Sequence, residues 1–297
     1  GTQVLEGQGG TVKALAVLSD GRLASGSADG TICLWNLDEQ NEAQILQGRG
    51  NWVTALARLP NGRLASGYRD GTVIVWELER GAAPKVLGGH GDTVSTLVAL
   101  PDGRIASGSH DETICLWDLS GGEEPRILDG HHGWVTALAV LPDGRLASAG
   151  SDRTIRLWSL KGGAEPQVLE KGNEWLRALA VLPDGYLASG GDDHIVRLWD
   201  PEGEPSTKVL ASHPFPVWAL EVLPDSRLAS AHADGAIILR DVKGQAEPQV
   251  LGTHGTGVYA LAVTSDGKLA SGAYEGTIRL WDVTGLDAAE LLEAKGG

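Results

Sequence analysis

Short runs of Val, Ile, Leu and Ala, separated by clusters of Gly, Pro, Asp and Asn, recur along the chain at a fixed interval of 41 residues. An apolar pair marks each recurrence: Val4-Leu5, Ile45-Leu46, Val86-Leu87, Ile127-Leu128, Val168-Leu169, Val209-Leu210, Val250-Leu251 and a degenerate Leu291-Leu292. The pairs delimit seven units, 4–44, 45–85, 86–126, 127–167, 168–208, 209–249 and 250–290, with no insertion or deletion. In the third unit, Val94 to Leu100, Ile105 to Gly108, Thr113 to Trp117 and the pair Val86-Leu87 predict four short strands, here named a, b, c and d. The turn clusters between them leave no room for helical spacing.

The runs are apolar on both sides rather than alternating, so both faces of each small sheet need cover. One such unit cannot bury enough surface alone. Seven stacked radially and closed on themselves can, which predicts an all-β fold, a seven-bladed β-propeller of four-stranded antiparallel blades, as one domain over 1–297. Eight copies of the strand d pair serve seven sets of inner strands, so residues 2–5 and 290–293 compete to complete the last blade. The β-branched residues of Thr2 to Leu5 favour the N-terminal segment over the helix-favouring AAELLEA at 288–294. The opposite choice stays open.

The repeats carry Gly-His at Gly89-His90 and Gly130-His131, and Trp-Asp at Trp117-Asp118, Trp199-Asp200 and Trp281-Asp282. In order, spacing and number they resemble the WD-repeat (WD40) propeller family over essentially the whole chain. That resemblance implies an N-terminal segment in the last blade. It also implies that His90, Ser107, Asp111 and Trp117, like His131, Ser148, Asp152 and Trp158, form buried structural hydrogen-bond chains. Either set could pass for a Ser-His-Asp triad, but its repetition one unit later argues for a scaffold role in which every buried polar group is satisfied. Gln8, Arg49 and Gly172 stand in place of the His, Glu275 in place of the Asp and Arg240 in place of the Trp, and those units are expected to have weaker or different networks.

Composition narrows the function. With 24 Lys+Arg against 39 Asp+Glu, the formal charge of -15 is the wrong sign for a protein that neutralises phosphates, which argues against nucleic acid as a partner. No apolar run approaches the roughly 18 residues of a membrane helix. No phosphate-binding loop, metal-ligand spacing or catalytic motif occurs, so no enzyme, metal or cofactor is expected. Cys33 and Cys115 occupy equivalent positions two units apart, too distant to bridge, which fits a reducing, cytoplasmic setting. The absence of Met, even at position 1, suggests a domain excised from a longer protein. The acidic excess concentrates in the a–b turns and c–d connections, which belong to the bottom face and rim.

Because the units align with one another, residues the fold does not need stand out. Trp52, Trp134 and Trp175 share the slot just before strand a, and Trp218 and Tyr259 share a slot two residues later. A third slot precedes the turn Asp and holds Arg69, Asp192 and Tyr274. In propellers of this kind these slots open on the top face around the central channel. A cluster of aromatic side chains there marks a contact surface. The main expectation is a non-catalytic recognition or scaffold module. It would bind a peptide or protein segment through Trp52, Trp134, Trp175, Trp218, Tyr259 and Tyr274, with Arg69, Arg177 and Asp192 selecting orientation. The LPDGRLASGS style of the repeats suggests a larger bacterial signalling or sensor protein, and the domain alone is expected to be a monomer. One alternative is a small-ligand cage, in which Trp175, Trp218 and Tyr259 beside Asp192 hold a methylated ammonium group or a sugar. Another, less supported, is a hydrolase or lyase that works in the channel.

Overall fold

The computed structural model describes residues 2–283 except 7, 38–42, 49, 79–81, 120–123, 163–164, 172, 203–206 and 245. It contains seven antiparallel four-stranded sheets, the blades of a propeller. In blade 3 the strands are Val94–Ala99, Ile105–Ser109, Ile114–Trp117 and Arg126–Leu128, paired in the order a, b, c, d. Strand a of the other blades is Val12–Val17, Val53–Arg58, Val135–Val140, Leu176–Val181, Val217–Val222 and Val258–Val263, for blades 1, 2, 4, 5, 6 and 7. Thr2–Leu5 pairs with Ile278–Trp281, so the N-terminal segment is strand d of blade 7. Residues 290–293 lie outside the described residues. Among the described residues no helix is long and apolar enough to cross a membrane.

Strand b is buried at every position in every blade, whereas strand d is not two-sided. The first residue of the apolar pair faces solvent, as at Ile127 and Val250, 59% and 66% exposed, while Leu5, Leu128 and Leu169 are buried. Radial stacking explains this departure from the two-sided expectation. Blades splay apart with distance from the axis, so the outermost strand has a neighbour on one side only.

Between blades, strand b of one faces strand a of the next. A β-carbon at Gly67 or Gly108 would come within 2.4 and 2.6 Å of Val94 and Val135 Cγ1, so glycine permits the close approach at those two seams, whereas Ala149 and Ala231 stand at the same position in blades 4 and 6. The six strand c tryptophans, Trp35, Trp76, Trp117, Trp158, Trp199 and Trp281, are all buried.

Every strand a carries a register shift after its first residue, as between Val12 and Ala14 or Val217 and Ala219. A bulge leaves one residue outside the ladder and re-aims its side chain. In the seven blades that residue is Lys13, Thr54, Ser95, Thr136, Arg177, Trp218 and Tyr259.

Candidate functional site

The buried hydrogen-bond chains decide what the scaffold does not offer. Asp111 accepts from Nδ1 of His90 at 2.9 Å, His90 Nε2 lies 2.7 Å from the Ser107 hydroxyl, and Trp117 Nε1 donates to that hydroxyl at 2.7 Å. His131, Asp152, Ser148 and Trp158 repeat these distances. Burial raises the carboxyl of Asp111, but donors from Thr113 and Gly91 and the charge of His90 outweigh it and hold the group below the ordinary range. Asp152 is held lower still, by His131 and the backbone of His132 and Thr154 against the same burial. Ser107 and Ser148 have no accessible surface, so neither oxygen can meet a substrate carbonyl.

Blade 7 corrects one expectation. Glu275 reaches as far as Asp does elsewhere: His254 Nδ1 lies 3.0 Å from its carboxylate, His254 Nε2 2.7 Å from Ser271, and Trp281 donates to Ser271 at 2.7 Å. The extra methylene is absorbed and the chain of bonds stays whole. In blade 1, Gln8 donates to the Ser25 carbonyl instead. Arg49 and Gly172 lie outside the described residues. In blade 2 the missing ring comes from strand b, where fully buried Tyr68 places its hydroxyl 3.3 Å from Ser66. Blade 6 departs furthest: Arg240 donates to Ser230 in place of an indole, and His232 sits 2.9 Å from Ser230 with its ring 3.8 Å from that of His213.

The three aromatic slots meet because they close one hairpin end. The carbonyl before strand a accepts from the amide that precedes the turn Asp: Trp52 from Arg69 at 3.0 Å, Trp175 from Asp192 at 2.9 Å, Gly257 from Tyr274 at 3.0 Å. Trp52, Trp134 and Trp175 are 40%, 41% and 37% exposed, and Tyr274 is 60% exposed. Trp134 and Trp175, from adjacent blades, meet edge to face at 5.3 Å, and His110 of blade 3 stacks on Trp134 at 4.1 Å. Arg177 lies 5.5 Å from the Trp175 ring and forks onto Asp192, with Nη2 donating at 2.7 Å. Arg69 covers Trp52 at 4.3 Å. Across the mouth, Trp218 stacks on Tyr259 at 4.7 Å, and the Lys13 ammonium sits 3.3 Å from the Tyr259 centroid. Gly257 makes room for that stack, since a β-carbon there would lie 2.3 Å from the Trp218 ring.

The predicted residues therefore form three groups on one face: Trp52 with Arg69; Trp134, Trp175, Arg177 and Asp192; and Trp218 with Tyr259, Tyr274 standing nearby. Burial and the charge of Arg177 lower Lys13 to about 8, which places the two cations within electrostatic reach of each other. His110 and Lys13 occupy the same slots as the named aromatics but escaped sequence reasoning because neither is an aromatic anchor of the usual type. Phe215, 44% exposed beside Pro216, was missed because it lies one residue outside the slots.

The bulge residues divide the ring. In blades 2, 3 and 4 they are hydroxyls that bond across the seam: Thr54 to the Val94 carbonyl at 2.5 Å, Ser95 to that of Val135, and Thr136 to that of Leu176 at 2.6 Å. In blades 5, 6, 7 and 1, which are consecutive around the ring, the same position holds Arg177, Trp218, Tyr259 and Lys13. Four adjacent seams give up this bond for long side chains at the channel mouth.

Comparison with known proteins agrees with the repeat architecture. The sequence model of the WD domain, G-beta repeat, matches residues 2–36, 40–77, 81–118, 122–159, 165–200 and 246–282. The chain belongs to the WD40 family. Blade 6 of this WD40 propeller falls between the matched segments, as expected from a repeat that carries Arg240 where its sisters carry Trp. Among solved structures, the chain is similar to the crystal structure of the WD40 beta propeller domain of Doa1, with a TM-score of 0.83 over 95% of this chain and 97% of that one. At 24% identity that likeness establishes the fold alone. No curated protein matches the chain.

Proposed function

We propose that this WD40 propeller is a non-catalytic recognition module that takes a peptide or protein segment across its aromatic face. The observation that carries the reading is the half-exposed set Trp52, Trp134 and Trp175, which the scaffold does not need and which stands beside Arg69 and Arg177. Trp and Arg are the residue types that dominate binding hot spots, where truncation costs about 2 to 4 kcal/mol. The recognition module works within a larger signalling or sensor protein in the cytoplasm, and the domain itself is monomeric.

The small-ligand cage is less well supported. Asp192, its intended counter-charge, is already engaged by Arg177, and the face of Tyr259 is covered by Lys13, which repels a second cation. The test is selection from a displayed random peptide library on the wild type and on Trp52→Ala/Trp175→Ala. The expected result is peptides that bind the wild type and are lost by the double variant at an unchanged melting temperature. Equal binding by both, or loss of the fold in the variant, overturns the assignment.

A further inference from the structure

The end of the central channel away from the aromatic face holds a cavity of about 520 Å³. Its walls come from strand a of blades 1, 2, 6 and 7 and include Leu15, Leu56 and Leu261 with Ala16, Ala57 and Ala262. Strand a is the edge strand of each sheet, and an edge strand has a row of backbone groups without ladder partners. Into this space projects Glu221. At the fifth position of strand a the other blades have Ala16, Ala57, Val98, Ala139, Ala180 and Ala262, so no unit needs a carboxylate there to fold. Among the described residues, no hydrogen bond or ion pair reaches the Glu221 carboxyl. Its surface is only partly accessible, and burial alone pushes its carboxyl up to about 7. Arg58, at the exposed end of its strand, is the other charged residue that lines the cavity, and no ion pair joins the two.

An unpaired carboxylate among aliphatic side chains is a site that lacks its cation. A bare metal ion fits poorly: one carboxylate is a small donor set for a cavity of this volume, and Arg58 brings a like charge to the same wall. We infer that this end of the channel binds a small primary ammonium compound, its nitrogen paired with Glu221. An ammonium group has three donors and no acceptor, so after the carboxylate it can use strand-edge carbonyls. The site is separate from the aromatic face and does not depend on the function proposed for it.

The experiment is calorimetric titration of the intact chain with hexylamine at pH 8, with hexanol, hexanoate and calcium chloride as comparison ligands. Saturable binding of hexylamine alone is expected, weakened at least tenfold in E221Q and in E221A. The alanine variant has the residue that most sister blades already use, so it tests the site without threatening the fold. At pH 6 hexylamine should displace a proton from Glu221, and the heat should then depend on the ionisation enthalpy of the buffer. Equal affinity in the wild type and E221A overturns the inference. So does binding of hexanol as tight as that of hexylamine, or saturable binding of calcium without hexylamine.

Discussion

Replacing Glu221 with Ala should make the propeller more stable above neutral pH and leave it level or slightly weaker in mild acid. In the unfolded chain this carboxyl titrates near its ordinary 4.5, whereas in the folded chain burial pushes it up to about 7. Between those values the folded state holds a proton that the unfolded state has released, so stability falls as pH rises through the interval. At about 1.4 kcal/mol per pKa unit, the ionised group costs the fold about 3 kcal/mol above pH 7 and nothing below about pH 4.5. Truncation to Ala also removes partly buried methylene groups, a loss of up to about 0.8 kcal/mol for each one fully buried. The wall it leaves borders an existing channel, so little new void forms. The two effects oppose each other at pH 8, where a net gain of about 2 kcal/mol is expected, and the loss alone remains only near pH 4. Urea denaturation of both proteins from pH 4 to 8 should therefore give stability curves that cross. Carboxylates such as Asp111, held low by their donors, lose their contribution at lower pH and in both proteins alike. Parallel curves would mean that Glu221 is solvated in the channel, and the reasoning would fail.

Ser148→Ala should cost about 2 to 3 kcal/mol, because it strips a partner from both Trp158 and His131, two buried polar groups. Ser189→Ala, in a blade where Ser189 serves Trp199, should cost less, about 1 to 2 kcal/mol; equal losses in denaturant titrations would show that the histidine adds nothing to the chain. Lys13, lowered to about 8 by burial and Arg177, should be the amine most rapidly trinitrophenylated at pH 8.5, as read by peptide mass mapping; a rate no faster than that of Lys85 would contradict its desolvated position.

Much of this fold could be read from the chain because a repeat supplies its own alignment. The constant 41-residue interval fixes blade number and strand order, and the paired recurrence of Ser107 with Trp117 and of Ser148 with Trp158 identifies the buried chains. Periodicity does not reveal compensation between positions. Tyr68 supplies from strand b the ring that blade 2 lacks in its d–a loop, and Glu275 reaches where Asp was expected, because each substitution is solved by geometry rather than by residue type. The bulge in strand a is equally silent, since it inserts no extra residue into one repeat relative to another. It is nevertheless what turns Arg177, Trp218, Tyr259 and Lys13 out of the ladder at the channel mouth. Glu221 did leave a signal, a charge where every other copy has Ala or Val, but a single substituted repeat does not tell whether the side chain enters the channel or packs between blades.

Blade 6 concentrates the departures. Trp218 at the top of strand a, Glu221 further down the same strand, His232 on strand b and Arg240 on strand c all break the pattern of the sister blades, and the family model passes over this unit. A scaffold explanation accounts for some of them as mutual compensation. Arg240 fills the indole position and donates to Ser230, and His232, its pKa lowered to about 4 by burial and by the neighbouring His213 and Arg240, packs against it uncharged. Compensation does not extend to Trp218 or Glu221. Trp218 stacks on the neighbouring blade at the mouth, and Glu221 stands without a partner in the lumen, so neither takes over the work of a substituted scaffold residue. A ring of seven near-equivalent blades can spare its repeat rules in one unit while the other six hold the closure, because each blade packs only against its neighbours. The unit freed in this way places Trp218 and Glu221 at opposite ends of the channel, and substitutions there should alter binding with less effect on stability than the same substitutions in blades 3 or 4.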